Sequence, residues 1–369
     1  MSPRNKTVDV AKALGILLVI VGHNHIVEHG SVELYIVLSS FRMPLFFFVA
    51  GVFLTDSKSF GEFALKKADA LLKPYFIVML AVGIVLVSVN SISGAKYFAR
   101  VAYANGHTIA AAAGPAMLPL WFLPCLFVTV VSAWMILQVA KRVDNKPLFL
   151  ALSVVVLLAV GIRYLDHFRW ADPGIVLDGV DFLSRVRLPW LPFSLDLVGI
   201  SAGFMLMGYL MRYRVRSMKY DPFLFFVVLS IFAALHYLFD ESMDLNKRYY
   251  GSWLIVTVQA LSGIYIVVSL SELIARISFL RRALAYIGSS SLFLLMFHNL
   301  FQYNIFNFLD RVSGMTNVSA LVALAAGVLF PLVLVEIAKR QRVLSALLLP
   351  MKPNALLQGN SATPAETPR

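Results

Sequence analysis

The chain has 369 residues, 59% of them hydrophobic and 14% charged, with a mean hydropathy of +0.79 and a formal net charge of +12. A soluble domain carries about 25% charged residues, so this composition excludes a water-soluble globular fold and predicts an all-α, polytopic integral membrane protein. Its Lys and Arg residues fall in short clusters between apolar runs, which excludes nucleic acid as the partner and fits membrane orientation instead. The one cysteine, Cys125, sits in an apolar run, which rules out an intramolecular disulfide or a multi-cysteine metal site.

In chain order, apolar windows bounded by charge, Pro or Gly predict about ten transmembrane helices in one bundle. They fall near residues 8–27, 36–55, 73–91, 118–139, 147–164, 193–212, 222–239, 253–275, 286–306 and 318–337. Arg4, Lys6 and Lys12 precede or open the first window. Gly22-His23-Asn24-His25 ends it in place of a small-residue cleavage site, so it is expected to be an uncleaved span. Ten spans put the N-terminus, every even-numbered loop and the C-terminus on one side. That side holds 22 of the 32 Lys and Arg, against nine in the opposite loops, while acidic residues divide 9 against 10. The positive-inside rule then predicts a multi-pass protein of the plasma membrane with both termini cytoplasmic. A transmembrane domain is expected over residues 1–345 and a disordered cytoplasmic tail, rich in Pro, Ala, Thr and Asn, over 346–369. The longest outer loop, 165–192, carries Asp166, Asp172, Asp178, Asp181, Arg185 and Arg187 and is placed to cap a site.

The first span contains Asp9, Lys12, His23, Asn24 and His25, a costly set for a helix in hydrocarbon, which makes it the leading functional candidate. Lys12 and His23 are eleven residues apart, which returns to within about 20° of one helix face at a separation of about 16 Å. Two readings fit that spacing. In one, Lys12 snorkels to the headgroups and His23 caps a helix end. In the other, one face presents a cation low and an imidazole high to a functional site. Two further patterns have structural explanations. Gly199-Ile200-Ser201-Ala202-Gly203 fits a nucleophile elbow, but it lies inside a span, where the same glycines form a helix-packing surface. His25-Ile26-Val27-Glu28-His29 fits a zinc spacing, but no third ligand is evident and no metal is expected.

Several segments resemble the acyltransferase-3 family. VDVAKALGILLVIVGH matches its opening, in which a basic residue precedes a histidine by eleven positions, as Lys12 precedes His23. SFRMPLFFFVAGVFL is similar to its second span, with Arg42 where many relatives have His. KKADALLKPYF, LWFLPCLF and SLFLLMFHN resemble its later signatures, so the likeness covers nearly all the transmembrane chain. Members of the O-antigen acetylase branch often carry paired arginines three apart before the third span, whereas here Lys66 is followed by Asp69. The pattern looks closer to the branch resembling fucose 4-O-acetylases.

That resemblance implies an O-acyltransferase moving an acyl group, acetyl first and succinyl not excluded, from cytoplasmic acyl-coenzyme A to a hydroxyl of a glycan or lipid-linked sugar. It implies His23 as the base that takes the hydroxyl proton, with Arg42 and Asn299 as donors to the developing oxyanion or to substrate hydroxyls. Trp121, His298 and Asp196 are candidates for substrate contact, and Lys12, Lys67 and Lys73 for the coenzyme A phosphates. Arg42 fits equally well as an intramembrane ion-pair partner of Asp196. A multi-span transporter or exporter of a sugar-like or anionic molecule is the alternative function, since it would share the topology and the buried charges.

Overall fold

The structure is a computed structural model that describes residues 6–55, 59–168, 190–239 and 241–351. Each of the ten expected windows is occupied by a helix. They are α1 (Lys6–Gly22), α2 (Val32–Val52), α3 (Phe60–Ser88), α6 (Phe122–Ala140), α7 (Lys146–Phe168), α8 (Val198–Arg216), α9 (Pro222–Leu238), α10 (Trp253–Ala275), α12 (Ser291–Ser313) and α13 (Thr316–Arg340). Four shorter helices lie between or after them: α4 (Gly94–Tyr103), α5 (Gly106–Ala113), α11 (Ser278–Ser289) and α14 (Arg342–Leu348). Among the described residues the only sheet is a hairpin, with β1 (Met243–Asp244) antiparallel to β2 (Tyr249–Tyr250).

Seven helical segments are long and apolar enough to cross a membrane, and the bent pair α11–α12 makes eight. α1 and α9, 17 residues each, fall short of that length and occupy the first and seventh of the expected windows. At 1.5 Å per residue they reach about 25 Å, a little under the hydrocarbon thickness of about 30 Å, and α1 carries Lys6, Asp9 and Lys12 at its start. α3 is the opposite case. Its 29 residues make it about 43 Å long, so the turns holding Lys66 and Lys67 extend well before the window expected at 73–91.

Small residues set the tightest packing. A Cβ on Gly51 of α2 would lie 1.8 Å from the Met205 carbonyl oxygen of α8, and one on Gly208 of α8 would lie 1.9 Å from that of Phe48, so the two backbones touch at reciprocal glycines. Gly199, in the segment that fits a nucleophile elbow, lies inside α8 with its Cβ position 2.6 Å from Gly161 Cα of α7, and Ser201 shares a 2.7 Å hydrogen bond with Thr129. Those residues pack helices together.

The window expected at 286–306 is broken. α11 and α12 meet at Ser290 with a 78° bend, within the small-residue run Gly288-Ser289-Ser290-Ser291. Gly288 lets α11 close on α1, since a Cβ there would lie 2.3 Å from the Asp9 carbonyl oxygen. The bend at Ser290 therefore lies close to the Asp9–Ala13 turn of α1. At the chain's end, α14 continues past the boundary expected at residue 345. Leu349 accepts a hydrogen bond from Lys73 Nζ at 2.7 Å and Met351 N–H donates to Asp69 at 2.7 Å. Most of the expected capping loop, 169–189, and the tail from 352 lie outside the described residues.

Candidate active site

α1 ends at Gly22 and the chain turns at once, so His23 stands at the helix end rather than inside it. A buried hydrogen-bond clamp holds the turn. Gln302 Nε2 of α12 donates to the Ile20 carbonyl at 3.0 Å, and Asn24 Nδ2 donates to Gln302 Oε1 at 3.3 Å and to the Ala320 carbonyl of α13 at 2.8 Å. Asn24 Oδ1 in turn accepts from Ile26 N–H at 3.1 Å. Both amides are spent on protein groups, tying the end of α1 to α12 and α13. A single π-helical turn, Ile26–Gly30, follows, in which the His25 ring stacks on His29 at 4.4 Å and on Phe306 at 4.0 Å. Among the described residues no group of three His, Cys, Asp or Glu is placed to hold a metal.

The His23 and His298 ring centroids are 5.4 Å apart. His298 is fully buried, and its Nδ1 sits 2.8 Å from the Leu294 carbonyl and 3.0 Å from that of Leu295. Carbonyl oxygens only accept, so Nδ1 carries the proton and Nε2 keeps its lone pair. That Nε2 is buried without a hydrogen-bond partner, as is Nη1 of Arg42. The Arg42 guanidinium lies directly over Gly22, where a Cβ would be 1.7 Å from Nη1, and its Cζ is 5.5 Å from the Tyr35 ring. His298 Nε2 and Arg42 Nη1 are thus a buried acceptor and a buried donor left open, one beside His23 and the other over its neighbour Gly22.

His23 also lines a cavity of about 390 Å³. Asn24, His25, Glu28 and His29 share its wall with Pro115 and Leu118 from the 3-10 turn before α6, and with Asn299, Gln302, Tyr303, Phe306 and Asn307 of α12. Asn299 is thus on the wall, its Nδ2 donating to the Pro115 carbonyl at 2.9 Å. The structure brings His23, His298, Arg42 and Asn299 to one end of the bundle. It does not bring Trp121 there: the indole is buried in the core edge-on to Phe122, and the residues of its turn that reach the cavity are Pro115 and Leu118.

Asp196 is engaged elsewhere. Its carboxylate takes Arg248 Nε at 2.5 Å and Nη2 at 3.2 Å, and accepts from Leu191 N–H at 3.0 Å, so it does not pair with Arg42. At the other end of α1, Lys12 Nζ lies 3.7 Å from the Phe53 ring centroid and Lys67 Nζ lies 5.5 Å from that of Phe63, with Lys67 in the field of both Lys12 and Lys66. Lys73 instead bridges Asp69, at 2.7 Å, and the Leu349 carbonyl. Lys12, Lys66 and Lys67 are thus close enough at that end of α1 to act on one another electrostatically. Sequence reasoning missed the Asn24–Gln302 clamp, for which the signal was a Gln inside an apolar span one turn after His298.

A family model described as an acyltransferase domain matches residues 5–336, nearly the whole chain. The chain belongs to the acyltransferase-3 family. It is a membrane acyltransferase by that membership. No curated protein and no solved structure matches it.

For such an enzyme the contact between Gly22 and Arg42 makes a specific prediction. In Gly22→Ala the new methyl occupies the guanidinium's place, and because the obstructing atom is the end of a flexible side chain, the fold survives while Arg42 moves. Loss of one aligned donor to a developing oxyanion costs about 100-fold in kcat. A steady-state transfer assay should show that loss with binding of coenzyme A, followed by calorimetric titration, unchanged. Wild-type kcat in Gly22→Ala would remove Arg42 from the reaction.

Proposed function

We propose that the protein is an O-acyltransferase that takes an acyl group, acetyl first, from acyl-coenzyme A at the Lys12 end of α1. It delivers the group to a hydroxyl of a glycan or lipid-linked sugar in the cavity at the His23 end. The observation that carries this reading is the placement of His23 on the cavity wall, with His298 behind it and the unpartnered Arg42 Nη1 over the adjacent Gly22. His23 takes the proton from the acceptor hydroxyl as its oxygen attacks the thioester carbonyl. Arg42 faces the negative charge that develops on that carbonyl oxygen, and the proton held on His23 passes to the departing thiolate. Asn299 Oδ1 orients the acceptor through a neighbouring hydroxyl.

The distribution of Lys and Arg supports a cytoplasmic position for the Lys12 end and for both termini, in a bacterial inner membrane. Lys12, Lys67 and Lys73 then meet the phosphates of the donor as point charges. The fucose 4-O-acetylase-like pattern of the motifs favours acetyl as the group and a sugar as the acceptor.

Removing one charge from the donor site should raise KM. Lys12→Gln is expected to increase KM for acetyl-coenzyme A about tenfold, the size of one lost charge-assisted hydrogen bond, with acceptor KM near wild type. Normal coenzyme A affinity in Lys12→Gln, measured by titration of the purified protein, would invert the assignment of the two ends. The acceptor itself is read by mass spectrometry of the host's glycans with and without the gene, where the reading requires an ester that disappears with the gene.

A further inference from the structure

We infer that the acceptor enters this cavity as the end of an oligosaccharide at least two sugar units long, and that Tyr303 and Asn307 hold the unit next to the one being acylated. The inference rests on the acyltransferase reading above and goes beyond it in naming the form of the acceptor.

The first observation is size. The cavity beside His23 measures about 390 Å³ and is lined along α12 from Asn299 to Asn307, a run of about 12 Å. A single sugar with a hydroxyl at His23 would leave its far end to water. The second observation is register. Asn299, Tyr303 and Asn307 all line the cavity and occupy positions i, i+4 and i+8 of α12, so they share one face. Successive members of that face are about 6 Å apart along the helix axis, comparable with the advance per unit along a glycan chain. Asn299 adjoins His298 and so stands level with the histidine pair, while Tyr303 and Asn307 lead away from it.

The third observation is which groups remain free to recognise sugar. Gln302 and Asn24 also line the cavity, but their amide N–H groups are committed to the Ile20 and Ala320 carbonyls. Phe306 has its face covered by the His25 ring at 4.0 Å. Tyr303 is 43% exposed and, among the exposed residues of α12, is one that lines the cavity, where it offers both a ring face for sugar C–H groups and a hydroxyl. Asn307 supplies a donor and an acceptor a turn farther on. Inner recognition by Asn299 and outer recognition by Tyr303 and Asn307 divide the cavity into two consecutive subsites.

The test uses the full chain in proteoliposomes with acetyl-coenzyme A. As acceptors it uses the mono-, di- and trisaccharides obtained by partial hydrolysis of the host's own surface glycan. The disaccharide is expected to show kcat/KM at least about tenfold above the monosaccharide, with little further gain for the trisaccharide, because contacts to the remote unit contribute to the transition state. Tyr303→Ala and Asn307→Ala should each bring the ratio of disaccharide to monosaccharide kcat/KM down toward one. Tyr303→Phe should lower it less, and coenzyme A titration reports whether each variant is folded. Equal kcat/KM for the mono- and disaccharide, or variants that leave the ratio unchanged, would overturn the two-subsite assignment alone. If no saccharide is acetylated by wild-type protein that binds coenzyme A, the sugar acyltransferase reading falls, and the subsites with it.

Discussion

His23→Ala is expected to lower kcat for acyl transfer about 1,000-fold while coenzyme A still binds with wild-type affinity. The two effects separate because His23 stands about 16 Å from Lys12 along α1, so removing the imidazole takes away the base without touching the cations at the other end. Steady-state transfer and calorimetric titration on the same preparation measure both. His298 does not substitute in the variant. Its Nδ1–H is committed to the Leu294 and Leu295 carbonyls, it stands behind His23, and it is absent from the cavity wall. A kcat within tenfold of wild type would show that another group takes the proton.

The second large effect is on stability. Arg248→Ala leaves the Asp196 carboxylate buried without its partner, and breaking a buried pair by removing one member costs about 3–5 kcal/mol. The surroundings add to the penalty. Trp190 lies 4.1 Å from the Arg248 guanidinium carbon, and Trp190, Phe193, Ser194 and Arg248 all have φ between 55° and 57°, a left-handed conformation that non-glycine residues hold only when neighbours enforce it. Denaturation in mixed micelles should place Arg248→Ala far below wild type, and the double variant Arg248→Met with Asp196→Leu well above Arg248→Ala. A single variant as stable as wild type would mean the pair is dispensable.

Much of the fold was legible in the sequence because the bilayer requires apolar windows of near-constant length, and those windows coincide with α1, α2, α3, α6 to α10, α12 and α13. The break at Ser290 was not legible. The bent pair together still passes as one apolar span, so the Gly288-Ser289-Ser290-Ser291 run reads in the sequence as small packing residues rather than as a bend. In the site, the eleven-residue spacing of Lys12 and His23 set them toward opposite ends of the first span, and the structure has Lys12 near the start of α1 and His23 just past its end. The partner of Asp196 was not legible, since Arg248 comes from a hairpin more than fifty residues away whose pairing only the tertiary fold defines. Trp121 illustrates the same limit: LWFLP marks a helix start, but which residue of that turn faces the cavity depends on how it packs against α12.

The bend between α11 and α12 also sets a distance. From Ser290 to His298 is eight residues, about 12 Å of helix, less than half the hydrocarbon thickness of about 30 Å. Gly288, at the end of α11, packs against the Asp9 and Ala13 backbone of α1, so the bend and the histidine pair are both fixed to the same helix. Under the proposed function, the bend and the histidine pair would let one rigid bundle serve both a donor held at the Lys12 end and an acceptor held at the His23 end, with no domain having to move.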